Sequence, residues 1–71
     1  MNYEQMIERL EEGLTLIKDT SGDQEVMTHA YLVAVPGCNK DDYSESDIET
    51  LEQDLGWGWS DEMGWVFPCI G

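Results

Sequence analysis

The apolar positions of the chain change their period several times. From Asn2 to Glu12, Tyr3, Met6, Ile7 and Leu10 recur at helical spacing, while Glu4, Glu8, Glu11 and Glu12 fill the other side. That pattern predicts an amphipathic helix, with its early acids suited to the positive end of the helix dipole. Gly13 is placed to close it in a left-handed cap. Carried on to Lys18, the same helix would keep Leu14 and Ile17 on its apolar face but turn Leu16 to water. A short strand over Leu14–Lys18 would remove that conflict, and strand and helix stay open there. Asp19-Thr20-Ser21-Gly22-Asp23 is a cluster of turn formers. Val26 to Val35, with Val26, Thr28, Tyr31, Val33 and Val35, has strand composition. Ala30 to Val35 is apolar on both alternating faces, so the expectation is one central strand covered on each side. Pro36-Gly37 ends it, and residues 37–43 read as a loop.

A second helix follows. Ser46 with Glu49 has capping-box spacing, and Ser44 with Asp47 is the weaker alternative. Ile48, Leu51 and Leu55 form the apolar stripe, and Gly56 supplies a stop. The last segment predicts a hairpin around Asp61-Glu62-Met63, with Gly64 in a left-handed bulge position. Pairing Trp59 with Trp65 then pairs Trp57 with Phe67 and puts four aromatics on one face. Those rings read as core beneath the helices, with an exposed binding face as the alternative. Ile7-Glu8-Arg9-Leu10-Glu11-Glu12 is echoed 41 positions later by Ile48-Glu49-Thr50-Leu51-Glu52-Gln53, but the architecture does not depend on duplication. The expected fold class is α+β, with two helices packed on one face of a small antiparallel sheet of three or four strands, in helix-hairpin, helix-hairpin order.

Composition narrows the function classes. The 71 residues, read as a single small domain over 1–71, carry sixteen Asp and Glu against three Lys and Arg, for a net charge of −13. Direct binding to nucleic acid or to an anionic membrane surface is excluded on that balance, because phosphate binding needs clustered cations. A hydrophobic content of 41% is too high for a disordered acidic tail. No apolar run approaches membrane-spanning length, and the N-terminus lacks a signal pattern, so a cytoplasmic location is expected. Cys38 and Cys69 lack metal-ligand spacing and are expected to be free thiols. His29, the lone histidine, has no partner pattern for catalysis. In Asp19–Glu25 the oxygen ligands fall at calcium-loop spacing, yet Gln24 stands where the loop needs glycine, and Ala30 where it needs glutamate. No nucleophile elbow, phosphate loop or dinucleotide motif is present. The expectation is a non-enzyme without cofactor or metal.

Charge distribution carries the functional expectation. From Asp41 to Glu62 the chain holds nine acids and no Lys or Arg. Glu45, Glu49 and Glu52 fall at i, i+4 and i+7, where like charges oppose helix formation. Surfaces built for solubility alone mix both signs. Asp41, Asp42, Glu45, Glu49, Glu52, Asp61 and Glu62, with Tyr43 as an aromatic anchor, are the candidate partner-binding residues. The expected function is charge mimicry of nucleic acid, blocking a basic groove on a nucleic-acid-handling protein or complex. In size and charge, though in no motif, the chain resembles small acidic inhibitors encoded by phages or mobile elements against restriction, CRISPR or transcription machinery. Such a protein would act in the host cytoplasm, as a monomer. The alternatives are a small structural or adaptor subunit associating through apolar strand surface, and an acidic antitoxin.

Overall fold

The structure, a computed structural model, describes residues 3–29 and 31–69. Asn2, the expected first helical residue, and Ala30, inside the expected long strand, lie outside them. Helix α1 (Tyr3–Ser21) is followed by strands β1 (Met27–His29) and β2 (Leu32–Val35). A 3₁₀ turn (Lys40–Asp42) leads into helix α2 (Glu45–Glu49), which continues as a π-helical turn (Thr50–Asp54). Strands β3 (Gly58–Ser60) and β4 (Gly64–Pro68) complete the chain. The fold is α+β, with two helices and one four-stranded antiparallel sheet of order β1-β2-β4-β3. Helix-hairpin, helix-hairpin order holds, although the first hairpin is not the expected one.

Leu14–Lys18 is helix, not strand. α1 passes through Gly13 and stops only at Gly22, whose φ of 79° and N–H bond to the Lys18 carbonyl (2.8 Å) close the last turn. Gly13 is buried because the Trp57 indole lies against it, and a Cβ built there would run into the ring. The same indole donates its Nε1–H to the Arg9 carbonyl at 3.2 Å. Gly13 is thus a notch for a ring 44 positions away, not a terminator. Leu16 is not left in water either. It is half-buried against the core, three residues on from Gly13 and so on the same flank of the helix.

Val26–Val35 is likewise not one strand. β1 and β2 form a hairpin with register Met27↔Ala34, Thr28↔Val33 and His29↔Leu32. A ten-residue strand would far outrun its neighbour β4, which has only five residues to pair with it. Only β2 is central, flanked by β1 and β4. It pairs Val33↔Phe67 and Val35↔Trp65, which places the core residues of both strands on one face.

The second hairpin follows the expected register, Trp59↔Trp65, with Gly64 at φ 71°. A side chain at Gly64 would meet the Val35 carbonyl, so the residue is held by close approach as well as by backbone angle. Trp57, Trp65 and Phe67 are buried and Trp59 is half-buried. Ring contacts join Trp57 to Phe67 (5.2 Å) and Trp59 to Trp65 (5.3 Å). With Ile17, Val33, Val35, Leu51 and Leu55 they make the core, and no polar or charged residue is buried among the described residues.

Replacing Gly13 with alanine should raise helix propensity by about 1 kcal/mol, yet the clash with Trp57 should make the net change destabilising by about 1–3 kcal/mol. In a Trp57→Ala background the same Gly13→Ala change should turn neutral or stabilising. Urea unfolding of the four-member cycle checks both signs.

Candidate functional site

The acidic segment begins in a short stack of capped turns. Asn39 Oδ1 accepts from the Asp41 N–H at 3.0 Å and opens the 3₁₀ turn that carries Asp41 and Asp42, both exposed. Ser44, not Ser46, caps α2, its Oγ accepting from the Asp47 N–H at 3.1 Å. Ser46 lies inside the first turn, so the Ser46/Glu49 capping box does not form. Starting the helix two residues earlier brings Glu45 and Asp47 into its first turn, where the dipole favours them.

The expected row of Glu45, Glu49 and Glu52 is broken after its second member. The Leu55 N–H bonds the Thr50 carbonyl at 3.0 Å, a five-residue closure that widens the last turn. Glu52 is rotated away from the line it would hold in a regular α-helix. It is half-buried and reaches Lys40 Nζ at 3.5 Å. Lys40 stands one residue before the acidic run. It is the residue that reading the run alone misses, because its pairing with Glu52 follows from the tertiary fold.

Tyr43 is not an exposed anchor. It is 6% exposed, within the core, its ring 5.4 Å from Trp65 in an edge-on contact. Its hydroxyl shares a 2.7 Å hydrogen bond with Ser21 Oγ at the end of α1. Residues 37–43 are therefore not a free loop but the strap that seats this ring. Burial pushes the Tyr43 phenol up to about 12, and the neighbouring Cys38 thiol works the same way, while the Ser21 hydrogen bond opposes them.

Asp61 and Glu62 belong to the β3–β4 turn. Trp59 Nε1–H donates to Asp61 Oδ1 at 3.2 Å, and Ser60 Oγ accepts from the N–H groups of Glu62 (3.3 Å) and Met63 (3.2 Å). Glu62 lines a groove on the sheet face away from the helices, so it does not join the helical acids. Asp41, Asp42, Glu45 and Glu49, in the 3₁₀ turn and α2, are exposed, and Glu4, Glu8, Glu11 and Glu12 of α1 are exposed as well. The resulting surface is an acidic helical layer rather than a single line of charge.

Among the described residues, no group of three or more His, Cys, Asp or Glu could hold a metal ion. No described helix is long and apolar enough to cross a membrane. Cys38 and Cys69 are free and half-buried. Two depressions, of about 140 and 220 Å³, fall below the roughly 300–1,000 Å³ of ordinary small-molecule sites. Comparison with protein-family models, curated proteins and solved structures gives no match.

The Tyr43 phenol binds its proton more tightly folded than unfolded, so it stabilises the fold fully below pH 10 and loses that contribution as pH rises from about 10 to about 12. Absorbance titration should show Tyr43 ionising with alkaline unfolding. Tyr43→Phe should remove that ionisation and flatten the alkaline fall in stability, which circular dichroism checks.

Proposed function

We propose that the chain is a non-enzymatic binding protein whose acidic helical layer occupies a Lys- and Arg-lined groove on a nucleic-acid-handling protein. The observation that carries this reading is the placement of charge. Among the described residues the core holds no polar or charged residue, and Asp41, Asp42, Glu45 and Glu49 are exposed, as are Glu4, Glu8, Glu11 and Glu12 of α1. Of the three cations, Lys18 pairs with Asp23 at 3.3 Å, Lys40 pairs with Glu52 at 3.5 Å, and Arg9 lies among the glutamates of α1, against sixteen Asp and Glu in all.

Duplex DNA presents one charge per roughly 1.7 Å of axis. Helix surfaces on which carboxylates far outnumber cations present an anionic field to a cationic cleft. Such a field steers encounter and repels competing nucleic acid. Restriction, CRISPR and transcription complexes have grooves of this chemistry, and a protein acting on them works in the host cytoplasm. With Tyr43 in the core and Glu52 paired to Lys40, the contact set reduces to Asp41, Asp42, Glu45 and Glu49 with the α1 glutamates. The strong net charge opposes self-association, and sedimentation is expected to give a monomer.

Affinity capture from a lysate of the cells that encode the chain, at low and at high salt, tests the reading. The captured species should be nucleic-acid-binding, be displaced by duplex DNA, and be lost at high salt. Combined Asp41→Asn, Asp42→Asn, Glu45→Gln and Glu49→Gln substitution should slow association by roughly tenfold or more. Capture that ignores salt, or that survives this variant undiminished, would overturn the reading.

A further inference from the structure

The helices cover one face of the sheet; the other is open and apolar. In β2, Leu32 and Ala34 alternate with the core residues Val33 and Val35, so they point to this second face. Met27 stands opposite Ala34 on β1, and Val66 stands opposite it on β4. Across β2 lies a groove of about 220 Å³, floored by Leu32 and Ala34 and walled by Met27, Pro36 and Met63. Met27 is 53% exposed and Met63 is 39% exposed. Paired methionines of this kind are adaptable contact surfaces that repack around a guest side chain.

Volume and charge together define the guest. An apolar cavity of about 150 Å³ takes a benzene ring, so this groove has room for one large aliphatic or aromatic side chain, and too little for an ordinary cofactor. No Lys or Arg lines it, and Glu62 is its one carboxylate, with His29 the remaining ionisable group. The whole molecule carries −13, so an anionic or second acidic chain is repelled, while a cation beside the guest is favoured at Glu62. A face-to-face pair of sheets is also disfavoured by area. Four strands about 4.8 Å apart and three to five residues long cover a few hundred Å², against about 800 Å² per partner in a standard interface.

We propose that this groove is a binding site for a short partner segment in which one large apolar residue is flanked by lysine or arginine. The apolar side chain enters between Met27 and Met63 over Ala34, and the flanking cation lies against Glu62. The site faces away from the acidic helical layer and does not depend on that layer's partner.

Peptides with a central leucine or tryptophan between lysines, titrated into ¹⁵N-labelled full-length protein, test it. Saturable shifts are expected at Leu32, Ala34 and Met63. A serine-centred lysine peptide should bind at least about tenfold more weakly. Glu62→Gln should weaken the lysine-flanked peptides about two- to fivefold and leave a glutamine-flanked one unaffected. Ala34→Leu, which fills the groove from its floor, itself only 7% exposed, should abolish the groove shifts while circular dichroism stays native. The proposal is overturned if shifts fall on the helical acids alone, or if serine- and leucine-centred peptides bind equally. It is overturned equally if Glu62→Gln has no effect, or if the groove resonances move with protein concentration in the absence of peptide, the mark of a second copy. The helical acid variant leaves these shifts in place, so failure here is separable from failure of the acidic-layer reading.

Discussion

The seat of the Trp57 indole in the Gly13 notch is the contact on which the rest of the arrangement depends. It joins the first helix to the start of the second hairpin, across 44 positions of sequence. A glycine inside a helix is unfavourable by about 1 kcal/mol relative to alanine, whereas one buried tryptophan removes roughly 150–250 Å² from water. Burial wins, and its N–H finds an acceptor in the Arg9 carbonyl. With Trp57 held there, Phe67 packs against it. Through the register of β4 on β2, Val33 and Val35 then face the same side as the helices.

A second tie works at the opposite end of α1. Tyr43 enters the core beside Trp65 and bonds Ser21, so the segment between the first sheet hairpin and α2 is stretched over the core rather than left free. Among the described residues no charged side chain is buried. Small size leaves few interior positions, and aromatic and branched side chains occupy them. Carboxylates collect on the helical layer, and apolar surface left over from the strands collects on the opposite face.

Local pattern revealed what local energetics decide. The second hairpin was legible because Trp59, Trp65 and Gly64 each act through near neighbours: cross-strand pairing and a left-handed backbone. The helix stop at Gly13 was misread because glycine's usual role as a terminator is local, whereas its role here is set by a ring from the other end of the chain. Val26–Val35 reads locally as one strand because apolar residues on both phases fit either a strand covered twice or a turned hairpin, and only the pairing of β1 with β2 separates them. The exposed acids of the candidate surface were legible from composition. Tyr43 and Glu52 were not, since a burial site and a cation twelve residues distant in sequence, Lys40, govern them. Nor was the groove legible, because it needs Met27, Ala34 and Met63 to be brought together by the sheet.

Both outer strands, β1 and β3, are only three residues long. Each offers a foreign chain very few unpaired backbone groups, which limits the ladder-like growth that longer flat edges invite. A domain that leaves one sheet face greasy therefore has little template from which fibrils or precipitates could start. The apolar recess on that face is thus flanked by edges too short to extend it into a neighbouring copy.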